Sequence, residues 1–186
     1  AIILPYPNNP TGGIMRREHL EAIVPVLIKH DLIVISDEIY SELTYGGIPH
    51  VSIASLPGMW ERTILLNGFS KSFAMTGWRL GYAAAPSLFM DEMVKIHQYV
   101  IMCAPTMSQY AGLEALKNDR REDELAFMRD AYDERRRVMV DGFRAMGLDC
   151  FEPQGAFYVF PSIQSTGISS EEFCERLLYE CKTAVV

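Results

Sequence analysis

The sequence lacks the features that mark disulfide-rich, metal-binding, membrane-spanning and secreted proteins. It contains only four cysteines and no CxxC pair, so it lacks a disulfide framework, and free thiols in a reducing cytoplasm are predicted. The histidines have no ligand-like spacing relative to the cysteines, so no metal site is predicted. No apolar run reaches the length of a membrane span, and no stretch resembles a signal peptide.

Positive charge is also scarce. Lys and Arg number 17 against 24 Asp and Glu, which gives a net charge of −7 at pH 7 and argues against nucleic acid as the main partner. What the chain does contain is 49% hydrophobic residues, enough to bury a globular core. It opens on "AIILPYP" and stops on "TAVV", both apolar, which predicts a fragment of a longer protein.

Short apolar runs alternate with an amphipathic segment in the first half. The opening "AIIL" and the runs at 32–36, 63–67 and, more weakly, 79–85 are typical of strands in a buried sheet. A helical spacing follows the first run, at Leu20, Ile23, Val24, Leu27 and Ile28, with a kink expected at Pro25. This order predicts an α/β layered fold with a mostly parallel sheet, whose ligands bind beyond the carboxyl ends of the strands.

The second half is more helical. We predict helices at 91–102 and 106–117, separated at Pro105, and one long amphipathic helix at 121–147 that ends at Gly147. A strand is predicted at 155–160, "GAFYVF". A last helix is predicted at 169–181, with Ser170 as its N-cap.

Polar side chains follow two of the predicted strands. Asp37 comes directly after the 32–36 run and Tyr40 three residues later, so one hypothesis is that a carboxylate and a phenol face one ligand. In the alternative interpretation Asp37 caps the next turn and Tyr40 packs in the core. Glu38 is expected to point to the opposite side, into a structural contact.

A single lysine, Lys71, lies in the mostly apolar stretch "NGFSKSFAMTGWRLGY" at 67–82. A nucleophilic lysine must lose its proton near neutral pH, and a partly desolvated pocket favours that loss. The alternative is a lysine whose ammonium reaches solvent from a loop. Ser70 adds a hydroxyl to the same stretch, and Arg79 adds a planar guanidinium suited to phosphate.

Three motifs occur in an order and spacing that resemble a known family: "NNPTGG" at 8–13, "SDEIY" at 36–40 and "GFSKSFAMTGWRLGY" at 68–82. They resemble the class I/II aminotransferases that depend on pyridoxal phosphate (PLP), with the fold-type I architecture of aspartate and aromatic aminotransferases. The segments "KIHQY", "CAPT" and "PQGAFYVFP" extend the resemblance along the chain. It implies a three-layer α/β/α large domain at 1–125, then an interdomain helix and the start of a smaller α+β domain at 126–186.

The resemblance implies a role for each candidate residue. Lys71 matches the lysine that binds pyridoxal 5'-phosphate as a Schiff base and shuttles the substrate proton. Asp37 matches the acid paired with the pyridinium nitrogen, which strengthens the ring as an electron sink. Tyr40 and Asn9 match the donors to the ring's phenolic oxygen.

The phosphate-binding match is less complete. Ser70 and Arg79 match phosphate ligands of the family. Many relatives carry a further serine three positions before the lysine, where this chain has Gly68. The family's upstream phosphate loop and its carboxylate-binding arginine fall outside the chain, so the fragment alone is expected to be inactive.

The implied activity is transfer of an amino group from an L-amino acid to a 2-oxo acid by a ping-pong mechanism. Two alternatives remain open, a PLP-dependent carbon–sulfur lyase and the cofactor-sensing domain of an aminotransferase-like transcription regulator. The resemblance also implies a homodimer, in which residues 102–109 approach the neighbouring subunit's cofactor. Phe157 and Tyr158 are expected to pack rather than to line the substrate pocket.

Overall fold

The computed structural model of the protein describes residues 1–185. Its sheet has four strands that lie side by side in chain order: β1 (Ile2–Pro5), β2 (Val34–Asp37), β3 (Thr63–Gly68) and β4 (Gly81–Ala84). The first three strands run parallel, and β4 returns antiparallel to β3. The predicted α/β class with a mostly parallel sheet is confirmed.

The helices follow the predicted order. They are α1 (Arg17–Lys29), α2 (Ser87–Val100), α3 (Thr106–Lys117), α4 (Arg121–Ala145) and α5 (Ser170–Cys181). α1 is one helix with Pro25 inside it, and α4 ends just before Gly147, whose φ of +79° suits a residue without a side chain. Within residues 1–185, no helix has the length and apolar character that crossing a membrane requires.

One face of the sheet carries the main core. Side chains from β1, β2, α1 and the turns before β3 are almost fully buried there, among them Leu4, Leu20, Leu27, Val34 and Met59. Each such side chain contributes on the order of 1.5–3 kcal/mol through burial. Because alternate strand residues point to opposite faces, Ile3 lies on the other face, where it is 64% exposed.

Two local predictions were wrong. Residues 155–160 do not form a strand: Gly155 makes an isolated bridge with Thr44, and Ala156 has a φ of +56°, which breaks the extended pleat. The N-cap of α5 is Ser169 rather than Ser170, because its Oγ accepts a hydrogen bond from the Glu172 N–H at 3.2 Å. Both adjacent serines are of the residue type preferred at an N-cap, and only the structure shows which of them occupies that position.

Candidate functional site

The carboxyl ends of the three parallel strands meet at one edge of the sheet. Pro5 pairs with Asp37 and Asp37 with Leu66, so the last residues of β1, β2 and β3 lie side by side. β4 begins at the same edge, since Gly81 pairs with Gly68. The strand ends and their loops carry every predicted site residue: Asn9, Asp37, Tyr40, Ser70, Lys71 and Arg79.

Lys71 lies in the turn after β3, with its amine over two aromatic rings that pack against each other. Its Nζ is 5.5 Å from the centroid of the Tyr40 ring and 5.2 Å from that of the Phe157 ring. The faces of such rings attract an ammonium group. The sequence predicted an apolar setting from flanking residues, but these two rings come from distant parts of the chain.

Tyr40 is a buried phenol with polar partners. Its Oη lies 2.7 Å from the Oη of Tyr158, which accepts a hydrogen bond from Asn9 Nδ2 at 3.1 Å. Burial and the hydrogen bond with Tyr158 raise the pKa of Tyr40 above its ordinary value of 10.0, and the negative charge of Asp37 adds to this. Tyr40 is therefore protonated at neutral pH and able to donate a hydrogen bond.

Asp37 is half-buried at the end of β2. Its Oδ1 accepts a hydrogen bond from the Ile39 N–H at 3.2 Å, so the turn-capping interpretation is confirmed. A carboxylate has two oxygens with about four acceptor positions, so the cap leaves capacity for a ligand. Capping and ligand binding are compatible roles for this side chain.

Ser70 and Arg79 lie at the two ends of the loop between β3 and β4. The Phe69 N–H donates to the Leu80 oxygen at 3.2 Å, and Ser70 and Arg79 each stand one residue beyond that pair. Arg79 Nη1 donates to the Thr76 oxygen at 3.1 Å. A guanidinium has five N–H donors, so others are left for an anion.

Gly68 has a packing role at the start of this loop. A Cβ added there would lie 3.0 Å from both the Gly81 Cα and the Leu80 oxygen, across the β3–β4 pair. A serine at this position would require the backbone of β4 to give way by a few tenths of an ångström. The close pairing of the two strands therefore favours glycine here.

The segment 153–158 reaches the site from the far end of the chain. The Gln154 and Gly155 N–H groups both donate to the Gly12 oxygen at 2.9 Å, and the Ala156 N–H donates to the Leu43 oxygen at 2.9 Å. These bonds tie the segment to the "NNPTGG" loop and to the turn after β2. The expected packing of its aromatic residues is confirmed, since Tyr40 and Phe157 meet edge to face with centroids 5.2 Å apart.

Sequence reasoning missed the polar role of this segment. Tyr158 uses its hydroxyl on two candidate site residues, whereas the sequence suggested only a packed ring. The usable signal was the glycine pair in "NNPTGG", because a Cβ on Gly12 would lie 2.2 Å from the Pro153 Cβ. A glycine required by close approach indicates that another segment passes over the loop, although it does not say which one.

Glu38 points away from these residues, as expected, into a buried polar cluster. Its carboxylate receives hydrogen bonds from Ser36 Oγ at 2.9 Å and Ser52 Oγ at 2.6 Å, and lies 2.7 Å from His50 Nε2. Burial alone would raise the pKa of Glu38, but the bonds from His50 and Ser52 outweigh it and hold the pKa below the ordinary 4.5. Across the described residues 1–185, no group of three or more His, Cys, Asp or Glu is placed to hold a metal ion.

The Glu38 cluster predicts a specific dependence of stability on acid. Because the pKa in the folded state lies below the unfolded value of 4.5, the contribution is complete above pH 4.5 and is lost as the pH falls through the folded pKa. We expect Glu38→Gln to lower the free energy of unfolding at pH 7 by about 1–3 kcal/mol. The variant should also flatten the acid limb, which is the fall in the free energy of unfolding below pH 4.5. Urea unfolding between pH 7 and pH 3 measures both effects.

The matched control is Glu18→Gln, which changes an exposed glutamate on α1. It should leave the acid limb almost as steep as in the wild-type protein. An acid limb equally steep in Glu38→Gln and in the wild type would contradict the assignment.

The chain matches known proteins over its full length. The family model described as aminotransferase class I and II matches residues 1–186. The aspartate aminotransferase of Pyrococcus abyssi is 50% identical over 100% of this chain and 48% of its own length. An aromatic-amino-acid aminotransferase of Thermococcus litoralis is 46% identical over 100% of this chain and 48% of its own length.

A solved structure agrees with these sequence matches. The crystal structure of an aromatic aminotransferase from Pyrococcus horikoshii superposes with a TM-score of 0.96 at 49% identity, covering 99% of this chain and 49% of that one. The chain thus spans about half the length of the curated relatives it matches. On its match to the family model along all 186 residues, the chain belongs to the class I and II aminotransferases.

Proposed function

We propose that this chain carries the cofactor-binding part of an aminotransferase that moves an amino group from an L-amino acid to a 2-oxo acid through pyridoxal 5'-phosphate. Its family generally depends on this cofactor, and its relatives act on amino acids and oxo acids. The observation that carries the proposal is the position of Lys71. Its amine lies over the Tyr40 and Phe157 rings, at the sheet edge that also holds Asp37.

The residues at this edge fit the cofactor's chemistry. Asp37 supplies a carboxylate with spare acceptor positions for a protonated ring nitrogen. Tyr40 and Asn9 supply donors for a ring oxygen. Ser70 and Arg79, at the two ends of one loop, supply a hydroxyl and a guanidinium for a phosphate.

Each residue then has a task in the reaction. When bound, the cofactor supplies an electron sink that stabilises negative charge at the substrate's α-carbon. Lys71 Nζ would hold the cofactor covalently, and as a free amine it would take the proton from the substrate's Cα and deliver it to the cofactor's reactive carbon. Asp37 holds a proton on the ring nitrogen, and Tyr40 orients the ring through its hydroxyl hydrogen.

The remaining assignments follow from the same resemblance. Residues 1–125 would belong to the large cofactor-binding domain and residues 126–186 to an interdomain helix and the start of a smaller domain. The division then falls within α4. Relatives generally act as dimers, and the approach of Met102–Gln109 to the neighbouring subunit stays a prediction, as does cytoplasmic location.

The test uses the whole protein that contains this chain. We expect it to show a visible absorption band that borohydride bleaches, and to form glutamate from 2-oxoglutarate when supplied with an L-amino acid. The amounts of glutamate and of the new 2-oxo acid should be equal. Double-reciprocal plots at several donor concentrations should give parallel lines, as a ping-pong mechanism requires.

The same assay separates the alternatives. A carbon–sulfur lyase would release ammonia and a thiol from a sulfur amino acid and would form no glutamate. A regulator would show the bleachable band without turnover of any donor. Either result would contradict amino-group transfer while leaving the cofactor assignment in place.

A further inference from the structure

One phenol connects the two proposed donors to the cofactor's ring oxygen. Tyr158 Oη accepts a hydrogen bond from Asn9 Nδ2 at 3.1 Å and lies 2.7 Å from Tyr40 Oη. Asn9 and Tyr158 are 149 residues apart in the chain, so this contact comes from the tertiary fold and not from a local turn. Tyr158 is not among the residues that would act directly in the proposed reaction.

The hydrogen bonds to Tyr158 leave donor hydrogens free on Asn9 and Tyr40. The Asn9 amide has two N–H groups and uses one on Tyr158, so one N–H is left. The hydrogen between Tyr158 Oη and Tyr40 Oη can come from either phenol, and in the arrangement in which Tyr158 donates it, the hydroxyl hydrogen of Tyr40 is left for another acceptor. Each proposed donor then keeps one hydrogen for a common acceptor.

Tyr158 is held firmly enough to impose an orientation. The Ala156 N–H donates to the Leu43 oxygen at 2.9 Å, and the Tyr45 hydroxyl donates to the Ala156 oxygen. The Tyr158 ring packs edge to face against the Tyr40 ring, with centroids 5.8 Å apart. Backbone bonds and ring packing therefore fix the hydroxyl, which then restricts the rotation of the Tyr40 hydroxyl.

We propose that Tyr158 is a positioning residue of the site, which holds Tyr40 and Asn9 with one hydrogen each directed toward the phenolic oxygen of the cofactor. The proposal rests on the proposed function, because that oxygen belongs to pyridoxal phosphate. Donors that withdraw charge from the ring oxygen weaken its hold on a nearby proton.

The test is Tyr158→Phe in the cofactor-loaded whole protein. The ring and its packing remain, and only the hydroxyl is lost. We expect the midpoint of the pH titration of the visible absorption band to move upward by about half a unit or more, and the cofactor to dissociate several-fold more readily. Neither readout depends on turnover of a substrate.

Two further variants identify the route of the effect. Tyr40→Phe should itself shift the midpoint upward, and adding Tyr158→Phe to it should change the midpoint by less than Tyr158→Phe does alone, since the two hydroxyls act together. Tyr179→Phe, which changes a 70% exposed tyrosine on α5, should leave the titration unchanged.

The outcomes are separable. A wild-type protein without a bleachable band would overturn the proposed function itself. A wild-type band that Tyr40→Phe shifts and Tyr158→Phe does not would overturn only the role of Tyr158. Tighter cofactor binding in Tyr158→Phe would also overturn it, because the phenol would then be competing for the place of the ring oxygen.

Discussion

Replacing Lys71 with alanine is expected to lower amino-group transfer by at least about a thousandfold, because one amine is both the proposed attachment point and the proton carrier. The structure places this amine over the Tyr40 and Phe157 rings, and alanine would leave no nitrogen there. Single-turnover formation of the 2-oxo acid by the whole protein measures the loss. Borohydride treatment followed by mass spectrometry should find the cofactor on the Lys71 peptide of the wild-type protein and on no peptide of the variant.

Two control variants separate chemistry from charge. Lys71→Arg keeps a cation beside the rings but cannot form the covalent bond, so it should be as inactive as the alanine variant. Lys95→Ala removes a 63% exposed lysine that pairs with Glu92 on α2, and should retain activity. A Lys71→Ala protein that still forms a reducible linkage to the cofactor would refute the assignment of the lysine.

Gly12→Ala is expected to destabilise the whole protein by about 2–4 kcal/mol. The residue has a φ of +71°, which costs about 1 kcal/mol or more for alanine, and its new Cβ would lie 2.2 Å from the Pro153 Cβ. Overlap of this kind adds about 1–3 kcal/mol, because both loops must shift. The shift in the urea unfolding midpoint measures the change in stability.

Gly47 offers a matched control with the strain but without the overlap. Its φ is +70°, and a Cβ there would meet nothing within 4 Å. We expect Gly47→Ala to cost only about 1 kcal/mol, the backbone part of the effect. Equal losses in the two variants would mean that the contact between Gly12 and Pro153 contributes little.

Most of the fold could be predicted from the sequence because its hydrophobic residues recur with the clear spacing of strands and helices. The β-branched runs became β2 and β3, and the helical spacing around Leu20 and Leu27 became α1. The parallel order then determined that Asp37 and Lys71 would lie near one edge, since both follow strands of the same sheet. Family motifs supplied the proposed roles, and the site geometry is compatible with them.

What could not be predicted depends on contacts between distant segments. "GAFYVF" has the composition of a strand, but at Ala156 the chain turns to follow Leu43 and Gly12, with no local signal for this in the sequence. The hydrogen bond from Asn9 to Tyr158 is of the same kind. Propensity describes a residue in its own neighbourhood, whereas these contacts come from tertiary packing.

The contact between Asn9 and Tyr158 also orders events during synthesis. The two residues are 149 positions apart, so at the usual rate of chain elongation Asn9 leads Tyr158 by roughly 7–30 s. Once residue 79 has been added, and until residue 158 follows, the nascent chain contains the lysine, the aspartate and the arginine of the site without the phenol that joins Asn9 to Tyr40. Translation products that stop short of residue 157 would therefore present Lys71 with neither Phe157 beside it nor the Tyr158 hydroxyl on Tyr40.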